Sequence, residues 1–207
     1  VFEMANDTVR LKLLAKSESD KSLWQWNGHE WVREKSGRQK ANKPEVLDDD
    51  RLELAVGWLQ RLDWFTPEPG LWVGDANPRF LESLHAAWPD KPEAEYLGDT
   101  EFKRLFLQPK RLKPKLIVRG SGIDWLSVSA DWEEEGMKLT ERDLQQLAVA
   151  SGNFVNLPDA GWVHLDQKAV QDAQEAMADL GVDGLSALEQ KIGIEQAAHL
   201  DEDGLAK

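Results

Sequence analysis

Between Leu126 and Trp132 the chain alternates without a break: Leu126, Val128, Ala130 and Trp132 are apolar, and Ser127, Ser129 and Asp131 between them are polar. Successive side chains of a strand point to opposite faces, so this is the pattern of an antiparallel strand with one face on a core and the other in water. Leu116 and Val118, before Gly120-Ser121-Gly122, form a second strand, and the glycine turn predicts that the two pair. Thr140 with Asp143 approximates a capping box for a helix carrying Leu144, Leu147 and Ala148, closed by Gly152. Phe154-Val155-Asn156-Leu157 and Trp162-Val163-His164-Leu165 flank Pro158-Asp159-Ala160-Gly161 and read as a hairpin. Asp166 caps a further helix through Val170, Ala173 and Met177 to Gly181, and Leu185, Leu188 and Ile192 read as a last amphipathic piece.

The first half is less regular. Val9, Leu11, Leu13 and Ala15 alternate with Arg10, Lys12 and Lys16 as a half-buried strand. Asn27-Gly28 between Leu23-Trp24-Gln25-Trp26 and His29-Glu30-Trp31-Val32 predicts a hairpin with a type I′ turn, its tryptophans serving as packing mass. Residues 33 to 47 are polar, carry Gly37 and Pro44, and show neither period, which predicts a linker and a boundary near residue 45. Asp48 reads as an N-cap for a helix with Leu52, Val56, Leu59 and Leu62, stopped by Pro67 and Pro69. Asn77-Pro78 supplies a cap and an N1 proline for a helix with Phe80, Leu81, Leu84 and Trp88 inward. The expected class is α+β, antiparallel hairpins packed with amphipathic helices. The expected division is a β-rich segment and linker over 1–45, a helical subdomain over 46–110 and an α+β subdomain over 111–207.

At 207 residues the chain can bury a real core, and ten tryptophans argue against disorder. No cysteine is present, which excludes disulfides, thiolate zinc sites and cysteine nucleophiles. No apolar run approaches the roughly 20 residues that span a bilayer, so no membrane partner is expected and a cytoplasmic location is. A phosphate loop is missing: Lys35-Ser36-Gly37 lacks the preceding glycines, and Asp201-Glu202-Asp203-Gly204 follows no apolar strand. His29, His85, His164 and His199 stand alone, without the spacing that brings two imidazoles onto one metal, and read as packing or surface residues. Asp48-Asp49-Asp50 and Glu133-Glu134-Glu135 are read as a helix start and a polar turn rather than as catalytic carboxylates. No catalytic, metal-binding or cofactor-binding residue is nominated, and no small-molecule substrate is evident.

The formal net charge of −13 repels nucleic-acid backbones at long range. Against it, Phe102 to Arg119 holds Lys103, Arg104, Lys110, Arg111, Lys113, Lys115 and Arg119 and no acid. These seven cations are the candidate surface for duplex DNA, bound weakly, or for a protein partner, with Phe102 and Phe106 placed to flank it. The structural alternative is that they pair with the acidic C-terminal third.

The order Gly120-Ser121-Gly122-Ile123-Asp124-Trp125-Leu126-Ser127-Val128, a helix, then Phe154 to Leu165 resembles the SNF2-associated region of bacterial SNF2/HepA-like proteins. There a tryptophan-bearing strand after a glycine turn precedes a helix and a hairpin of the form valine, x, leucine, proline, aspartate, glycine. The resemblance runs from about Leu112 to Leu180 and is weaker from Asp48 to Trp88. Asp159-Ala160-Gly161 departs from it by one extra residue, expected to enlarge the turn. The resemblance implies a regulatory accessory domain beside a DNA-dependent ATPase motor in the same polypeptide. The motor is absent from this chain, and ATP and magnesium are expected only there. The competing reading is a free-standing acidic adaptor that binds another protein and no nucleic acid.

Overall fold

The computed structural model describes residues 1–5, 7–17, 21–33, 50–120, 124–133 and 137–193. The fold is α+β, and the chain divides into two compact units, Val1–Gln108 and Pro109–Lys207.

In the first unit β1 (Phe2–Ala5) and β2 (Thr8–Lys12) pair antiparallel, and β2 continues onto β7 (Leu71–Asp75), which carries β6 (Phe65–Glu68). The N-terminal strands and the segment after residue 50 therefore share one sheet, and the division expected near residue 45 does not separate them. Val9 and Leu11 are buried as alternation requires, but the strand expected to run on to Ala15 breaks at Leu13. There the chain leaves for a second sheet of β3 (Leu14–Lys16), β4 (Leu23–Trp26) and β5 (Trp31–Arg33). The β4–β5 hairpin forms, with Trp26 opposite Trp31, but its loop is not a two-residue type I′ turn. Asn27 Oδ1 accepts from the N–H groups of His29 and Glu30, the Asn27 N–H donates to the Glu30 carbonyl, and Gly28 alone in the loop takes a positive φ. The asparagine side chain stabilises a four-residue loop in place of the tighter one.

Helix α1 (Asp50–Leu59) buries Trp58 and Leu59; its expected cap, Asp48, lies outside the described residues. Helix α2 (Pro78–Ala87) starts as expected, with Asn77 Oδ1 accepting from Phe80 N at 2.9 Å and Phe80, Leu81 and Leu84 buried. Trp88 begins a short 3₁₀ turn instead of continuing α2, and it sits in an aromatic cluster with Phe2, Tyr96, Phe102 and Phe106. Asp99 caps α3 (Thr100–Phe102), which runs on as a π-helical turn over Lys103–Leu107.

The second unit is one five-stranded sheet in the order β10-β11-β8-β9-β12: β8 (Arg111–Gly120), β9 (Trp125–Glu133), β10 (Phe154–Leu157), β11 (Gly161–Leu165) and β12 (Gln190–Gly193). All pairings are antiparallel except β11 with β8. Helices α4 (Glu141–Ala148) and α5 (Gln167–Asp179) cover one face. Leu147, Val170, Ala173 and Met177 pack there against Leu112, Val128, Ala130, Trp132, Val163 and Leu165. The expected last amphipathic piece is not helical. Leu185 and Ile192 are buried, Leu188 is exposed, and Gln190–Gly193 adds to the edge of β9. Gly181 and Gly184 both take positive φ and interrupt any helix before it could propagate, while β9 offers an edge whose polar groups β12 satisfies.

Candidate nucleic-acid interface

The seven candidate cations are divided between the two units. Lys103 and Arg104 lie in the π-helical turn of the first unit, whereas Lys110 to Arg119 belong to the second. Phe102 and Phe106, expected to flank the cations, are 0% and 4% exposed. They stack on one another at 4.9 Å, and Phe102 stacks on Phe2 at 4.2 Å, so they serve the aromatic core. The sequence of that segment is amphipathic, and its apolar members point inward as burial of large rings dictates.

Strand β8 sorts the remaining cations by its period of two. Arg111, Lys113, Lys115 and Arg119 are all exposed on the face away from α4 and α5, while Leu112 is buried on the other. The register sets β9 beside them: Lys113 is opposite Glu133, Lys115 opposite Asp131, Ile117 opposite Ser129 and Arg119 opposite Ser127. On the far side of β9, Lys191 of β12 is opposite Ser127 and Gly193 opposite Trp125. Arg119 Nη1 reaches Glu189 Oε1 at 3.2 Å, an exposed ion pair of the kind worth at most about 1 kcal/mol. Asp131 and Glu189 thus stand next to the basic row.

Two residues on this face went unassigned in the sequence. Trp125 shares the polar side of β9 with Ser127 and Ser129 and is 54% exposed, unlike Trp132, which is 5% exposed in the core. Its position two before Ser127 was the available signal. Lys191 carries no local signal, because β12 is a strand only by its pairing with β9.

Asp143 is a structural carboxylate. Asp143 is 0% exposed. Its Oδ2 accepts from Thr140 N at 2.9 Å, closing the capping box of α4, and its Oδ1 accepts from Asp159 N at 2.9 Å. Thr140 Oγ1 also lies 2.7 Å from Asp159 Oδ2. Burial pushes the Asp143 carboxyl upward, but hydrogen bonds from the Thr140 N–H and hydroxyl and from the Asp159 and Ala160 N–H groups outweigh it and hold the pKa below its ordinary value. The extra residue of the hairpin turn is therefore part of the helix cap.

His164 is 3% exposed and stacks on Phe154 at 4.6 Å; His29 and His85 lie in the first unit, and His199 is outside the described residues, as are Lys35 to Gly37 and Asp201 to Gly204. Among the described residues no group of three or more histidine, aspartate or glutamate side chains is placed to hold a metal, and no helix is long and apolar enough to cross a membrane. No protein-family model, curated protein or solved structure matches the chain.

Proposed function

We propose that the chain is a non-catalytic regulatory region of a bacterial SNF2-type, DNA-dependent ATPase, acting in the cytoplasm on a motor in the same polypeptide. The observation that carries this is the arrangement in the second unit. Trp125 opens β9, α4 follows, and Val155-Asn156-Leu157-Pro158-Asp159 makes the β10–β11 hairpin, so the elements that bear the resemblance are consecutive and share one core. On this reading the chain contributes binding surfaces, and ATP and magnesium belong to the motor. A region that contacts motor lobes differently in two arrangements shifts their equilibrium by that difference, typically about 1 to 3 kcal/mol. Deleting it from the motor-bearing polypeptide is expected to change DNA-stimulated ATP turnover by roughly 5- to 150-fold. Identical curves of ATPase rate against DNA concentration with and without the region overturn the proposal.

The alternative, an acidic adaptor without a nucleic-acid role, draws on the acids beside β8: Asp131 opposite Lys115 and Glu189 on Arg119. An open reading frame with no motor beside this region would favour it.

A further inference from the structure

The face of the second unit's sheet away from α4 and α5 is buried at its β10–β11 end, where Phe154, Trp162 and His164 lie, and carries exposed side chains along β8, at Trp125 and at Lys191. Its middle strand, β9, presents only Ser127 and Ser129 between Trp125 and Asp131, and both serines are buried, at 6% and 9% exposure. On one side stand Lys113, Lys115, Ile117 and Arg119 of β8, and on the other Lys191 of β12. Two strand spacings separate these rows, about 10 Å. Long side chains on the outer strands and hydroxymethyl groups between them make a trough, and Trp125 stands half out of it at one end. The ion pair from Arg119 to Glu189 joins β8 to the residue just before β12, so it crosses β9 at the serines.

We propose that this trough binds a single strand of nucleic acid, with a base stacked on Trp125 and phosphates on Lys113, Lys191 and Arg119, the last released from Glu189. Lys113 and Arg119, six residues apart on β8, stand about 20 Å apart along a straight line, a span of a few extended nucleotides, and Lys191 faces Arg119 across Ser127. Stacking of successive bases on exposed aromatic rings beside a cationic groove is how sequence-tolerant single-strand binding is built. A duplex keeps its bases paired inside and leaves Trp125 without a ring to meet. An exposed ion pair is weak enough for a phosphate to replace its carboxylate. The inference goes beyond the regulatory role and stands without a motor, so it is tested on this chain alone.

The test is fluorescence anisotropy of a labelled oligothymidylate with the 207-residue protein at low salt, with the same length of duplex and a polyglutamate competitor as comparison arms. Binding is expected to favour the single strand and to quench tryptophan fluorescence. Trp125→Ala should weaken it roughly 5- to 150-fold, and Trp125→Phe much less, because a stacking ring remains. Glu189→Gln should tighten it by more than Asp172→Asn, which makes the same charge change on the exposed side of α5. No binding at low salt, binding to duplex as tight as to single strand, an unchanged Trp125→Ala, or polyglutamate displacing the oligonucleotide at equal charge overturns the proposal, the last by assigning the trough to an acidic peptide. A Glu189→Gln no tighter than Asp172→Asn overturns the release of Arg119.

Discussion

Asp143 shows how one side chain can bind two elements together. Its carboxylate accepts from the start of α4 and from the β10–β11 turn at once, and it is fully buried while doing so. Charge-assisted bonds to a buried carboxylate contribute about 1.5 to 3 kcal/mol, so Asp143→Ala is expected to lower the unfolding free energy of the second unit by about 2 to 3 kcal/mol in a urea titration. The pH dependence has a definite sign. Because the folded pKa lies below the unfolded one, the stabilisation is complete above the unfolded value, near 3.9, and is lost as pH falls through the folded value. Acid titrations followed by circular dichroism should therefore show wild type losing stability below about pH 4 more steeply than Asp143→Ala. Parallel profiles would mean that this carboxylate does not stabilise the fold.

At the scale of elements, legibility followed local chemistry. The alternation from Leu126 to Trp132, the Asn77 and Asp166 caps and the Thr140–Asp143 box were readable because each depends on residues within one turn or one strand. Leu13 could not be recognised as a break, since what ends β2 there is the change of partner from β7 to β4, a tertiary event. The same holds for β12, whose four residues are a strand only because β9 lies beside them. The candidate cations were half legible: the period of two aligned Arg111 to Arg119, but nothing local reveals that Lys103 and Arg104 belong to a different unit. Gly70, in the turn from β6 to β7, is a further case of long-range cause. It takes a φ of +79°, and a Cβ there would run into the backbone of Trp26 and stand 2.8 Å from Cα of Asn27. Gly70→Ala is expected to destabilise the first unit by at least about 1 to 3 kcal/mol, the usual cost of a strained backbone, before the collision is counted.

The chain divides into two compact units, with Gly70 in the first and Asp143 in the second, so these two substitutions are expected to act separately. In a calorimetric scan, Gly70→Ala should lower one melting transition and Asp143→Ala the other, each by about 4 to 8 °C per kcal/mol. A single transition moved by both would show that the units unfold together. The helix cap has a further consequence, for the order in which the second unit assembles. Its hydrogen bonds join Thr140, Asp143 and Asp159, at most 19 positions apart, whereas β8 must find β11 across the whole intervening chain. Closing short loops costs little entropy, so α4 with its adjoining hairpin is suited to be the nucleus on which the remaining strands condense. In stopped-flow refolding, Asp143→Ala should slow folding itself, while Ile192→Ala, at the late-joining edge strand, should chiefly speed unfolding.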